Sequence, residues 1–380
     1  MSTIPILFLA SLLIPLVSSL PLFILDRKLA DIYLLINVFA VMSTYFLGAF
    51  LYVKDMSLIH VVLLKMNVVG EFYGLIIDPF SVIVGIAVVT CGAIFLIYSI
   101  DYLSPNNKLH PIHYGKGKFY AWMLLFLGST LAFLHSSSLI QMIIFFELMT
   151  ISCWGLILYY GSRKAIEAAN KAIIYTHVRA LLGPYIASCI SFYYIHDTSL
   201  LEIHRLTPGI KLILFTLILV ASLAKSAQFP FYSWLIDAMV ASTPASAFHH
   251  GAAMSEMGVY LLGRIIQFIN SLPEICFTIL TIPIVITCII CVLMYPVQTD
   301  AKKLLAYSTV NEVMIMYVGL AYAIINPTIG LKASTSYLVT HAYLKGLGFL
   351  IVGVFGYVYG THDMRNIKGL LLPTKLVTIG

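Results

Sequence analysis

Ionisable side chains stand in the middle of long apolar runs at several places in this chain. Glu147 lies within Gln-Met-Ile-Ile-Phe-Phe-Glu-Leu-Met, and Lys225 within Leu-Val-Ala-Ser-Leu-Ala-Lys-Ser-Ala-Gln-Phe-Pro. His249 and His250 share the next run with Glu256; Glu312 follows, and His341 and Lys345 share a later one. A charge at the centre of a membrane helix costs roughly 2.5–3.5 kcal/mol, so each of these groups calls for a partner or a water-filled path. Lys225 is the most telling, because Ser226, Gln228 and Pro230 follow it. Proline removes a backbone donor and clashes with the preceding turn, which predicts a broken helix near 226–230. Broken helices at membrane depth are tolerated only where they face protein or a polar cavity. A lysine there can change protonation, because burial and a nearby carboxylate act on its charged form in opposite directions. Glu147 is the obvious carboxylate. Two readings follow: a fixed Lys–Glu pair pinning two helices, or a proton or ion relay, with intramembrane charge favouring the relay. His250 can hand protons on near neutral pH. His249 is seven residues before Glu256, which puts them on nearly one helical face about 10 Å apart. His341 and Lys345, four apart, also share a face. A lone buried histidine is usually a packing residue; a set of such groups on several spans is harder to read that way.

The elements that must position these residues follow from composition. The chain has 380 residues, 61% hydrophobic and only 10% charged. A soluble domain carries about 25% charged residues, so a soluble enzyme is excluded, as are disordered, collagenous and coiled-coil chains. The length allows about eleven transmembrane helices. The apolar runs are about twice the roughly 10 residues of a barrel strand, so the spans are helical. The net charge of +6 comes from short Lys/Arg groups at helix ends, the pattern of cytoplasmic loops rather than of nucleic-acid binding. The cysteines, including the Cys288-Ile-Ile-Cys291 spacing, all lie in apolar segments and read as small buried side chains. No GxGxxG or P-loop occurs, the cysteines lack iron–sulfur spacing, and no cofactor is expected in this chain.

Spans are expected near 3–25, 31–53, 79–103, 119–136, 138–160, 169–196, 210–240, 244–268, 272–297, 302–324 and 332–360, with a twelfth beginning near 374. Residues 54–78 are less apolar and read as a hairpin on the outer face. With no positive side chain before the first run, and Arg27 and Lys28 after it, the first span is retained and the N-terminus is outside. That orientation puts Arg27, Lys28, Lys108, Lys116, Lys118, Arg163, Lys164, Lys171, Lys302, Lys303, Arg365, Lys368 and Lys375 inside, and Lys54, Lys65, Arg205, Lys211 and Lys332 outside. Arg179, Lys225, Arg264 and Lys345 fall within spans. The asymmetry supports the orientation.

Longer motifs surround the buried charges. They are Asp78-Pro-Phe-Ser, Phe146-Glu147-Leu, Lys225-Ser-Ala-Gln-Phe-Pro-Phe-Tyr-Ser-Trp-Leu-Ile-Asp-Ala-Met239, Thr243-Pro-Ala-Ser-Ala-Phe-His-His250, Gly258-Val-Tyr-Leu-Leu262, Lys303-Leu-Leu-Ala-Tyr-Ser-Thr309, His341-Ala-Tyr-Leu-Lys345 and His362-Asp-Met-Arg365. In this order they resemble the proton-conducting antiporter-like subunits: the large membrane-arm subunits of respiratory complex I, those of membrane-bound hydrogenases, and Mrp-type sodium/proton antiporter subunits. The resemblance implies an all-α polytopic fold with inverted five-helix repeats. Residues 1–118 would form the N-terminal helices, 119–268 the first repeat, and 269–380 the start of an incomplete second. It implies a modulating carboxylate at Glu147, a proton carrier at Lys225 and a relay through His250, Lys302, His341 and Lys345. Asp237, His249, Glu256, Glu312 and Arg179 are accessory candidates. Ile236 stands where the family has proline, and Glu256, Glu312 and Arg179 are added charges. They would rewire the axis, favour sodium, or form a local salt-bridge network. Lys302 or Lys303 is the expected counter-charge of Glu256.

The leading functional expectation is a proton- or sodium-translocating subunit of a redox-driven complex in a prokaryotic cell membrane. Its partners would be other membrane subunits, a peripheral redox module and the lipid bilayer. A subunit of a non-redox Mrp-type cation/proton antiporter and a non-conducting scaffold are the alternatives.

Overall fold

The computed structural model describes residues 3–25 and 27–366, except the side chains of Arg27 and residues 178–181. The expected span near 374, Lys368, Lys375 and the Arg179 side chain therefore lie outside the described residues.

The chain is an all-α polytopic bundle. Its helices are α1 (Thr3–Leu22), α2 (Arg27–Tyr52), α3 (Pro79–Tyr102), α4 (Lys116–Leu134), α5 (Leu139–Leu158), α6 (Arg163–Ile173), α7 (Arg179–Ile195), α8 (Pro208–Lys225), α9 (Ser233–Asp237), α10 (Thr243–Gly251), α11 (Met254–Ile269), α12 (Ile275–Met294), α13 (Ala301–Ile325) and α14 (Pro327–Tyr359). Among the described residues, ten helical stretches are long and apolar enough to cross a membrane. One of them is α6 and α7 joined by the π-helical turn Ile174–Val178. α10 and α11 together cover the remaining expected span.

The predicted hairpin is present: β1 (Ile59–Met66) pairs antiparallel with β2 (Gly70–Ile77). Its turn uses Gly70 at φ +73°, a conformation that favours glycine. β2 is the buried strand. It is fastened by Ile76 N–H to His135 O at 2.9 Å, Gly74 N–H to Gln141 Oε1 at 3.1 Å and Thr198 Oγ1 to Glu71 O at 2.8 Å.

α3 begins where the sequence demands it. Asp78 caps Ser81 N–H at 2.9 Å, Ser81 Oγ accepts from Asp78 N–H at 3.0 Å, and Pro79 supplies the first turn. This capping box satisfies orphan amides. The same carboxylate takes a paired hydrogen bond from Arg264 of α11, at 2.6 and 2.8 Å, and Gln267 Nε2–H at 2.7 Å. Arg264, with none of its surface exposed, thus clamps α11 to α3 at the hairpin end of the bundle.

The break expected near 226–230 is where α8 stops. The backbone left unpaired is met from three directions: Gln228 Nε2–H donates to Ser226 O, Trp234 Nε1–H to Ala224 O, and Phe229 N–H to Thr287 Oγ1, each at 3.0 Å. A second break was not expected. The run 244–268 is interrupted at Ala252 and Ala253, both outside helical φ/ψ. His249 and Glu256 therefore do not share one helical face. No proline marks this break. The flanking glycines bring α10 and α11 against different neighbours: a Cβ on Gly251 would lie 2.9 Å from Gly346 N of α14, and one on Gly258 would overlap Ser226 Oγ and Ser222 O of α8. The cysteines are free, and Cys189 departs from the expected pattern in being exposed.

Removing one partner of a buried ion pair costs roughly 3–5 kcal/mol. Arg264→Ala should therefore lower the thermal stability of the detergent-purified protein sharply, and Asp78→Asn/Arg264→Met should recover much of it. Equal stability of parent and Arg264→Ala would show that the clamp is idle.

Glu71 supplies a pH dependence. Burial alone would raise its carboxyl, but hydrogen bonds from His60, Ser137 and Ser199 outweigh it and hold the group below the usual glutamate value. Stability from a depressed carboxylate is present above the unfolded pKa and lost as pH falls through the folded one. Hydrogen-exchange protection of residues 59–77 should hold at neutral pH and fall only in acid, below roughly pH 4. In Glu71→Gln it should be weaker at neutral pH and lack that acid step.

Candidate functional site

Lys225 is the last residue of α8 and is fully buried. Its ammonium donates to Phe146 O at 2.9 Å and Thr150 Oγ1 at 2.7 Å, and sits 4.1 Å from the centre of the Phe146 ring. All three partners belong to α5. The direct Glu147–Lys225 pair expected from the sequence is not formed. Glu147 Oε2 pairs instead with Nδ1 of His177, in the π-helical turn. The reason is angular: successive residues are about 100° apart around a helix, so Phe146 O and Thr150 meet α8 while the Glu147 side chain turns toward α6 and α7. Glu147 Oε1 is buried without a hydrogen-bond partner among the described residues. His177 was missed in the sequence. Nothing in the residue types of Tyr175-Thr-His-Val-Arg179 announces the π-helical turn, where an extra residue re-aims a side chain, as π-bulges do at functional sites.

The other buried charges meet on α11, α13 and α14. Glu256 Oε1 lies 2.8 Å from His341 Nδ1, and His341 Nε2 lies 3.8 Å from Glu312 Oε2. Glu312 Oε1 accepts from Lys345 at 2.7 Å and from Ser308 Oγ at 2.9 Å, and Lys345 also contacts Ser308. The counter-charge of Glu256 is thus neither Lys302 nor Lys303. Lys302 spends its ammonium on Met239 O and Ala241 O, at 2.9 and 2.6 Å. The second break in the helix turns Glu256 toward α14, where His341 and Lys345 share a face as expected.

Hydroxyls connect the Lys225 region to this quartet. Ser222 Oγ and Tyr317 Oη are 2.5 Å apart, and Tyr317 donates to Ser226 Oγ at 3.0 Å. Ser226 donates to Ser255 O at 2.6 Å, and Ser255 Oγ to Glu256 Oε2 at 3.2 Å. Gly258 makes this approach possible, since a side chain there would fill the space of Ser226 Oγ. Searching for charges alone overlooks Ser222, Ser226, Ser255 and Tyr317.

His249 and His250 are fully buried, and none of their four ring nitrogens has a hydrogen-bond partner among the described residues. Their rings lie against Phe126 and Phe349, with centroids 5.4 and 4.8 Å apart. The hydroxyls of Ser242 and Ser246 are likewise unpartnered among the described residues. Buried polar groups require partners, which marks α10 as the segment of the bundle suited to admitting water. Asp237 lies apart from the axis, paired with Lys171 at 2.6 Å near the surface.

Residues 136–379 match the family described as NADH:quinone oxidoreductase/Mrp antiporter, transmembrane. The chain belongs to this family. Among its relatives, Na(+)/H(+) antiporter subunit A1 of Staphylococcus haemolyticus (strain JCSC1435) is 31% identical over 385 residues, covering 95% of this chain and 46% of the relative. The protein of the same name from Staphylococcus aureus is 30% identical over 383 residues, again covering 95% and 46%. The chain therefore spans about half the length of the curated relatives it matches. The Mrp complex from Dietzia sp. DQ12-45-1b contains a chain that superposes with a TM-score of 0.79 at 25% identity, over 99% of this chain and 41% of that one. The membrane-bound sulfane sulfur reductase, an archaeal respiratory membrane complex, superposes with a TM-score of 0.83 at 18% identity, over 98% and 76%. At that identity the likeness is one of fold.

For this antiporter-family chain, the geometry separates the two candidate partners of Glu256. Glu256→Gln and His341→Gln should be non-additive in thermal stability, with a coupling on the order of 0.5–3 kcal/mol. Glu256→Gln and Lys302→Met should add. Additivity in the first cycle and coupling in the second would reverse the assignment.

Proposed function

We propose that this chain is an ion-translocating membrane subunit of an Mrp-type cation/proton antiporter, and that its buried polar groups carry the proton. The observation that carries this reading is the set of buried polar groups on neighbouring helices: Lys225 held against α5, and, from its chain neighbour Ser226, the bonds to Tyr317 and Ser255 that lead to Glu256, His341, Glu312 and Lys345. The sequence relatives bear the name of sodium/proton antiporter subunits, so they favour the antiporter reading over the redox-driven complex placed first from the sequence. The respiratory neighbour supports the fold both readings share.

In this reading Lys225 is the proton carrier and Glu147 its modulator, with His177 as the competitor. A carboxylate close to a lysine favours the ammonium, and its withdrawal favours proton release. Glu147 held by His177 leaves Lys225 with two neutral acceptors, the releasing arrangement. Glu147 turned toward Lys225 is the holding one. Released protons pass toward the Glu256–His341–Glu312–Lys345 quartet through water beside these hydroxyls, because the Ser226–Ser255 link ends on a backbone carbonyl that relays no proton, or toward the α10 histidines and Lys302. The division at about 118 and 268, the orientation with the N-terminus outside, a prokaryotic membrane and assembly with further antiporter subunits belong to the same proposal.

The test is sodium-driven proton transport in vesicles carrying the whole assembly, with the amount of each subunit measured alongside. Lys225→Ala should abolish transport and leave assembly largely intact; normal transport would sink the reading. Glu147→Gln should be nearly as damaging. If Glu147→Gln/Lys225→Met regains transport, the two residues only stabilise the bundle. Affinity capture should bring down small Mrp-type subunits; capture of a redox large subunit would return the first expectation.

A further inference from the structure

His362, which opens the His362-Asp-Met-Arg365 stretch, has no place in the axis described so far. It lies at the end of the bundle where α13 begins, opposite the hairpin. Ala301 N–H donates to His362 O at 3.0 Å and Met364 N–H to Thr299 O at 2.9 Å, so the segment after α14 is stitched to the approach of α13. Lys302 is the next residue. The His362 ring lies against α14 at Gly356, where a Cβ would stand 2.5 Å from Nε2. That nitrogen is buried and has no hydrogen-bond partner among the described residues.

His110 approaches from the loop between α3 and α4. That loop is held to α14 by Lys108 N–H donating to Tyr357 O at 3.1 Å, and the half-buried imidazole stacks on Tyr160 with centroids 4.3 Å apart. Lys302 is the leading charge acting on both imidazoles, and His362 also feels His110. On its other side the Lys302 charge reaches His249 and His250. The other charged groups here are engaged: Asp363 with Arg365 at 2.6 Å, and Asp300 as the cap of α13 through Lys303 N–H at 3.1 Å. Burial, with Lys302 and His110, brings His362 down to about 3, and burial with Lys302 lowers His110.

We propose that His110 and His362 form the port through which Lys302 exchanges protons with the water at this end of the bundle. The inference rests on the translocation reading above. His110 is half-buried in the α3–α4 loop, His362 Nε2 is buried against Gly356 of α14, and the His362 carbonyl is bonded to Ala301, the residue before Lys302. Each step moves one proton only: a proton taken up on one ring nitrogen is matched by one released from the other. Repulsion among the three cations keeps the proton from resting on an imidazole while Lys302 is charged. The competing route is a charged cleft lined by Lys164, Glu167, Lys171, Asp237, Asp300 and Met239, the last of which holds Lys302 through its carbonyl.

The experiment is sodium-driven proton transport by the full-length protein in its complex, per assembled complex, with Lys225→Ala as the reference. His362→Ala should slow transport by about tenfold or more. Millimolar imidazole should restore much of the rate, and His362→Gln should stay slow because an amide does not shuttle protons. His110→Ala should show a smaller loss with the same rescue. A parental rate in His362→Ala while Lys225→Ala is dead overturns the port and leaves the translocation reading standing; a loss in Lys171→Ala would then place access in the cleft. Full activity of His362→Gln, or a loss that imidazole does not relieve, also overturns it by making His362 a packing residue. Normal transport in Lys225→Ala instead removes the underlying reading.

Discussion

The break after Lys225 sets the terms for the rest of the bundle. A helix that stops at membrane depth leaves backbone groups that lipid cannot satisfy, so protein must be brought to it. Gln228, Trp234 and Thr287 meet the loose ends, and Gly258 lets α11 close over Ser222 and Ser226. The lysine that ends the helix is thereby fixed against α5. Its ammonium is satisfied by a carbonyl, a hydroxyl and a ring face rather than by a counter-ion. A buried lysine held only by neutral groups keeps its charge less firmly than one in an ion pair, which suits a carrier better than a pin.

The remaining charges solve the same desolvation problem by pairing. Glu147 takes His177, and Glu256, His341, Glu312 and Lys345 form a quartet of two carboxylates, one ammonium and one imidazole. Glu256 and Glu312, departures from the family pattern, are both members of it. They supply each other's context through His341, so the two added acids are one structural feature. Of the options left open by the sequence, a rewired axis, a preference for sodium or a local salt-bridge network, the network is the one present in the structure.

Much of this was legible in the sequence because its signals are local. Apolar run length gave the spans, Pro230 placed the break after Lys225, and Gly70 with the β-branched stretches gave the hairpin. What failed depends on how helices face one another. His177 became the partner of Glu147 because a π-helical turn re-aims it, and no side-chain spacing announces such a turn. Glu256 met His341 rather than Lys302 because α10 and α11 are separate helices, divided at two alanines with no proline to mark the spot. The serines and Tyr317 that join the two charged regions are unremarkable in a list of residue types. Their importance is visible only once α8, α11 and α13 are packed.

The two ends of the bundle differ in one respect that bears on direction. At the hairpin end Asp78 receives Arg264, Gln267 and the first turn of α3, and His135 is bonded to Ile76 O and lies 3.3 Å from Tyr45 Oη. Both Asp78 oxygens are thereby engaged, which favours one arrangement, while Arg264 Nε and Gln141 Nε2 are buried without partners among the described residues. Toward the other end, His249, His250, Ser242, Ser246 and His362 have polar atoms without partners among the described residues. Proton movement needs groups that can gain and lose hydrogen bonds at little cost, which a buried carboxylate held by a paired guanidinium does not provide. Under the translocation proposed above, the unpartnered imidazoles and hydroxyls toward the end where α10 and α13 begin suit exchange with water better than the ion-paired carboxylate at the hairpin end.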